Sequence, residues 1–174
     1  MTSRPIVSVI VPCFNQGHFL NACLESVARS TNQPHEVLVI NDGSTARPTL
    51  NALNRLRPAA AHQIVRLVNQ ANAGLPGARN SGLDVAAGCY VKFLDADDML
   101  IPGSLDIQVQ HLEQARASNP TQPLRTAVSL GGYRTFDDSS GAYGRPEDQA
   151  NWAKGFTFAR MANEWERGLS VPIH

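Results

Sequence analysis

The chain has 174 residues, with 15 Lys plus Arg against 15 Asp plus Glu and hence no formal net charge. That length suits one ordinary domain with a real core, and the charge balance excludes bulk attraction to nucleic acid or an anionic membrane. Charged residues make up only 17%, below the roughly 25% usual in soluble domains, which predicts that something else covers part of the surface.

Residues 1–5 lead straight into an apolar run of strand length, too short for a signal core or a membrane span. The chain therefore reads as soluble and cytoplasmic, with any membrane association left to segments outside it. Residues 7–11 (Val-Ser-Val-Ile-Val) are nearly all β-branched and stop at Pro12, the pattern of a strand buried on both faces. A helix follows, with Phe19, Leu20, Cys23, Leu24, Val27 and Ala28 on one stripe. Residues 36–40 predict a second buried strand, with Asn41, Asp42, Gly43 and Ser44 as its turn. Leu50, Leu53 and Leu56 mark a short helix ending before Pro58, and residues 64–68 a third strand. A glycine-rich loop over 72–77 opens a helix spanning about 78–87. The fourth strand, 90–94, runs into Asp95, Asp97 and Asp98.

Pro102 suits a first helical position, and Leu105, Val109 and Leu112 give that helix its apolar face. Past residue 119 the pattern changes to a strand at 127–130, a hairpin arm at 131–141 and an amphipathic helix over 156–167. Cys13, Cys23 and Cys89, with five scattered histidines, fit neither a disulfide framework nor a zinc site. They read as small core residues in a reducing compartment. Strands alternating with helices predict an α/β domain with a mostly parallel sheet.

Ligands of such sheets sit outside the carboxyl ends of the strands, at a topological switch point. Asn15, Asp42 and the Asp95 to Asp98 cluster each fall just past a predicted strand, so three strands bring polar groups to one edge. Crowded carboxylates disfavour each other's ionised forms unless a cation or donors stabilise them. Oxygen ligands suit a hard divalent metal. The plain alternative is a solvated acidic turn ahead of the next helix.

Four motifs stand in order: Val9-Ile-Val-Pro12-Cys-Phe14-Asn15, Val39-Ile-Asn-Asp42-Gly-Ser44, Asn72-x-Gly74-x-x-Gly77-Ala-Arg79-Asn80-x-Gly82, and Phe93-Leu-Asp95-Ala-Asp97-Asp98. Together they resemble the family 2 glycosyltransferases of the GT-A fold. The resemblance implies a Rossmann-like central sheet with a hairpin arm, residues 1–118 as the donor-binding part and 119–174 as the start of the acceptor part. It further implies inverting transfer from a nucleotide-diphospho-sugar, a UDP-sugar, to a saccharide, lipid or protein acceptor, with Mn2+ or Mg2+ as cofactor. No nucleic-acid partner and no membrane segment are expected.

On that resemblance Pro12, Phe14, Asn15, Asp42, Gly74, Arg79 and Asp95 form the nucleotide site. Phe14 matches a position, commonly Tyr, that stacks on the base; its alternative is a core aromatic. Asp42 matches the residue that accepts the imino hydrogen of the base, since carboxylates only accept. Arg79 has three candidate partners: a phosphate, the loop carbonyls, or the acidic cluster. Asp97 matches the metal-binding position, Asp95 reaches the ribose or the metal through water, and Asp98 is a helix-start or supporting group. Asn41 stands where the family often has a first Asp. The general base of the family follows the hairpin and the next helix. Glu164 and Glu166 read as solvated helix positions, so the base is expected C-terminal to His174 and the chain to be the donor-binding portion of a longer enzyme.

Two other enzyme readings lack their motifs. A nucleotidyltransferase would carry a glycine-rich basic first turn, but residues 12–17 hold no basic side chain. A dinucleotide oxidoreductase would have Gly-x-Gly-x-x-Gly after the first strand. A non-catalytic sugar- or partner-binding module on the same scaffold remains the rival of a different class.

Overall fold

In the computed structural model, which describes residues 4–118, 136–137 and 142–143, the β-branched runs become the strands of a parallel sheet. Strands β1 (Val7–Cys13), β2 (His35–Asp42), β3 (Gln63–Gln70) and β4 (Tyr90–Phe93) lie in the order β3-β2-β1-β4. Every residue of β1 and β2 is buried, as two-faced burial of a continuous apolar run requires. Pro12 does not stop β1. The Leu94 N–H donates to the Ile10 carbonyl, so two residues on, Pro12 faces the same side just beyond β4. No ladder bond is demanded there, and the missing N–H costs nothing.

Side chains alternate across the sheet. Ile10, Leu38 and Ile40 share one face and close a core with Ala78 of the helix α3 (Gly74–Val85). Val9, Val11, Val37 and Val39 point to the opposite face and are equally buried. Helix α1 (Leu20–Ser30) buries Leu20, Cys23, Leu24 and Val27 as its spacing predicts. Phe19 is not on that stripe: it is the N-cap and stays exposed, and Ala28 is half-buried. Ser26 and Ser30 take the remaining buried positions because their hydroxyls donate back to the carbonyls of Cys23 and Val27. Helix α2 (Arg47–Leu53) packs through Thr49 and Leu53, while Leu50 is exposed and Leu56 lies beyond the helix.

Helix α3 starts four residues earlier than the glycines suggest. The first helical N–H groups have no partner within the helix, so Pro76 fits in the opening turn. Gly82 of α3 lies against β1, and a Cβ there would collide with the Ile10 side chain. Gly82→Ala is expected to cost about 2 kcal/mol through overpacking, read as a lower urea midpoint at unchanged slope. Helix α4 (Ser104–Ala117) begins two residues after Pro102, and Leu105 is its buried residue. Cys13 and Cys23 are buried as expected, but Cys89 is exposed.

At the opposite end of the sheet from the acidic turn, His35 is buried at the start of β2, with its ring 5.3 Å from that of His62. Burial pushes His35 below the ordinary histidine value; the Gln33 carbonyl opposes this, His62 adds to it and Asp106 opposes it. A lowered folded value means that the unfolded chain binds the proton more readily, so stability falls as pH drops below about 6.5. The melting temperature is expected to decline between pH 7.5 and 5, with a shallower decline in His35→Gln.

Contacts divide the chain into two units, Met1–Ile107 and Gln108–His174. In the second, β5 (Phe136–Asp137) and β6 (Ala142–Tyr143) pair antiparallel; β5 falls within the hairpin expected over 131–141, and β6 lies just past its end. The expected strand at 127–130 and helix at 156–167, with Glu164 and Glu166, lie outside the described residues. Among the described residues no helix is long and apolar enough to cross a membrane.

Candidate donor groove

The chain order places β2 on one side of β1 and β4 on the other, so the topological switch falls between β1 and β4. An open groove of about 570 Å³ lies at the carboxyl ends of these strands. Pro12, Cys13, Phe14 and Gln16 line it from the end of β1, Asp42 from β2, and Asp95 and Asp97 from the turn after β4. Asn72, Gly74, Leu75 and Ala78 complete it from the start of α3. Of the residues singled out in the sequence, Pro12, Phe14, Asp42, Gly74, Asp95 and Asp97 therefore meet in one groove. Asn15 and Arg79 are not part of its lining.

Phe14 is 47% exposed, which excludes the core-aromatic alternative and leaves a flat apolar ring bordering the groove. Asn15 has φ of 58°, a left-handed conformation that asparagine tolerates better than most residues. Its side-chain oxygen accepts from the N–H groups of Thr45 and Ala46, both at 2.9 Å, and its own N–H donates to Ser44 Oγ. Asn15 thus ties the β1 turn to the β2 turn. Asn41 points to the opposite face from Asp42, caps its own turn by accepting from Ser44 N–H, and donates to Asn69.

Asp42 is the last residue of β2 and nearly fully buried. Its Oδ1 accepts from Gln70 Nε2 at 2.7 Å and from Ala73 N–H at 2.8 Å. Its Oδ2 takes no hydrogen bond from the described residues.

The Asp98 N–H donates to the Asp95 carbonyl, which closes the acidic turn. Of the three candidate partners of Arg79, the acidic cluster is the one it meets here: its guanidinium donates to Asp95 Oδ1 at 2.8 Å and lies 5.6 Å from the centre of the Phe93 ring. Asp97 is exposed, and its Oδ2 accepts from Gln16 Nε2 at 3.2 Å. Gln16 is a groove residue that sequence reasoning missed, because 81 positions separate the two partners. Asp98 lies six residues before α4 and is no helix-start group. Burial, and then Asp95 and Asp97, push its carboxyl above the usual range, and Lys92 opposes them. Beneath the turn, burial first and then Asp98 and the neighbouring acids push the Cys23 thiol up to about 12, which leaves it inert.

Among the described residues no three His, Cys, Asp or Glu side chains are placed to hold a metal by themselves. Two carboxylates at one groove end still fit Mg2+ or Mn2+, because such ions use one or two protein carboxylates together with substrate phosphate oxygens.

A family model described as Glycosyl transferase family 2 matches residues 8–167. The uncharacterized glycosyltransferase YibD of Escherichia coli K12 is 43% identical over 102 residues, covering 59% of this chain and 29% of that protein. The uncharacterized glycosyltransferase EpsJ of Bacillus subtilis 168 is 31% identical over 147 residues, covering 84% and 39%. The chain thus spans well under half the length of these curated relatives. Among solved structures, the mannosyltransferase PcManGT of Pyrobaculum calidifontis, in complex with GDP-Man and Mn2+, aligns with a TM-score of 0.51 and 26% identity. That alignment covers 75% of this chain and 35% of the other.

Proposed function

The chain belongs to glycosyl transferase family 2, and from that premise we propose that its groove is the donor site of a metal-dependent, inverting glycosyltransferase. The donor is a nucleotide-diphospho-sugar with a uracil base. The observation that carries this reading is the meeting of three chemistries in one groove: the exposed Phe14 ring, the unshared Oδ2 of Asp42, and the carboxylates of Asp95 and Asp97. Phe14 covers a base face, and Asp42 accepts the imino hydrogen of the base. Asp97, with Asp95 beside it, would hold Mg2+ or Mn2+. Mn2+ accompanies the nucleotide-sugar in the Pyrobaculum relative. When bound, the cation neutralises charge that develops on the leaving diphosphate.

Asn15 and Arg79 act as positioning residues, the first by joining two turns and the second by fixing Asp95. The groove-facing carboxylates are all assigned to base and cation, so the general base that activates the acceptor hydroxyl is supplied by residues outside those described. Residues 1–118 are the donor part, and 119–174 begin the acceptor part. The acceptor is a saccharide, lipid or protein hydroxyl.

Thermal shift against UDP, GDP, CDP and ADP, with and without MnCl2, tests the reading. UDP with Mn2+ at 100 times its dissociation constant is expected to stabilise the chain by about 2.7 kcal/mol. A panel in which no nucleotide raises the melting temperature in Mn2+ overturns the donor-site assignment.

A further inference from the structure

Asp42 and Gln70 are register partners at the last positions of β2 and β3. Gln70 is not part of the groove lining, yet its Nε2 donates to Asp42 Oδ1 at 2.7 Å. A carboxylate only accepts, so the nitrogen of the amide must face it. That orientation leaves Gln70 Oε1 buried without a partner among the described residues. An apolar side chain of similar size would avoid that unmet acceptor, so the amide is explained by its bond to Asp42. The Ala73 N–H joins it on the same oxygen.

We propose that Gln70 sets the base selectivity of the groove by occupying Asp42 Oδ1, so that the carboxylate presents Oδ2 alone. This inference rests on the nucleotide-site reading above and adds a specificity-determining residue to it. Uracil presents one ring N–H between two carbonyls, which one acceptor satisfies. Guanine presents a ring N–H and an amino group side by side, which call for both oxygens of a carboxylate. Cytosine and adenine carry a bare ring nitrogen at that edge and meet the carboxylate acceptor to acceptor. A one-oxygen Asp42 therefore favours uracil and loses half of the guanine pair. Gln70 and Ala73 together fill both acceptor sites of Oδ1; without Gln70, Ala73 still holds that oxygen but one acceptor site opens, so Oδ1 can join Oδ2 in accepting from a base.

Titration calorimetry of UDP and GDP in Mn2+, on wild type and Gln70→Leu, tests this. The wild type is expected to bind UDP at least tenfold more tightly than GDP, and Gln70→Leu to narrow that ratio by about tenfold. N3-methyl-UDP, which lacks the imino hydrogen, is expected to bind the wild type at least tenfold more weakly than UDP. If Gln70→Leu does not fold, Gln70→Asn, whose amide is one methylene short of Asp42, is expected to give the same narrowing. Equal loss of UDP and GDP affinity marks a merely structural role and overturns the proposal, as does an unchanged ratio. A wild type that binds no nucleotide overturns the donor-site reading with it, whereas UDP binding with an unaltered ratio in the variants overturns this inference alone.

Discussion

Asp97→Asn is expected to weaken cation-dependent nucleotide binding strongly while leaving the fold intact. Asp97 is exposed, and the contact from Gln16 at 3.2 Å is the hydrogen bond it takes from the described residues, so its carboxylate is available to a ligand. Asparagine keeps the shape and removes the charge. With two carboxylates at the site, loss of one should weaken Mn2+ binding in the presence of UDP on the order of 100-fold, about 2.7 kcal/mol. Calorimetric titration of Mn2+ into the UDP-saturated chain measures it, and unchanged affinity would remove Asp97 from the cation site. Asp95→Asn should differ in kind. It also removes the negative charge that faces Arg79, only 15% exposed, at 2.8 Å, so the melting temperature should fall together with cation affinity.

The largest expected loss of stability comes from Glu36→Ala, at the far end of the sheet from the groove. Glu36 is 3% exposed and accepts from Ser8 Oγ at 2.6 Å, Ala87 N–H at 2.7 Å and Arg66 at 3.1 Å. Ser8 Oγ accepts in turn from Gly88 N–H, so this network holds the α3 to β4 connection against β1 and β2. Removing the acceptor strands the Ala87 N–H, while the half-exposed Arg66 can rehydrate. The expected cost is roughly 3 kcal/mol, at the lower end of that for a buried broken pair. Burial pushes the Glu36 carboxyl up, but the donors from Ser8, Ala87 and Arg66 outweigh it and hold the group below its ordinary value. A depressed folded value gives stability that is present above about pH 4.3 and lost as pH falls through the folded value. Denaturant unfolding at pH 7 and pH 4 checks both: Glu36→Gln should show a flatter acid limb than wild type. A cost for Glu36→Ala under 1 kcal/mol would contradict this account of the network.

The sheet was readable because its strands are short β-branched runs that bury both faces, a pattern no amphipathic helix shares. The acidic turn and Asp42 were readable because strand ends put them at one edge. Helix starts were less so. Gly74, Pro76 and Gly77 read as a loop, yet an opening helical turn needs no N–H from Pro76 and tolerates the glycines. Phe19 matched the apolar spacing of α1 but lies just outside it, where the chain still enters from solvent. The side-chain pairs that shape the groove were invisible for a different reason. Gln16 with Asp97, Arg79 with Asp95 and Gln70 with Asp42 are each joined by the parallel crossovers, not by local spacing. Asn15 illustrates the same limit: its position after β1 pointed to the site, but only the fold shows that its side chain is committed to Thr45 and Ala46.

The claim that a nucleoside diphosphate and a divalent cation share the crevice between β1 and β4 is tested most directly by paramagnetic line broadening. Substoichiometric Mn2+ added to the 15N-labelled chain with UDP should broaden amide resonances in 13–16, 42–44, 72–75, 77–79 and 95–98, and Asp97→Asn should erase that pattern. Broadening centred elsewhere, or a pattern that persists in Asp97→Asn, would contradict the assignment of this groove as the donor site.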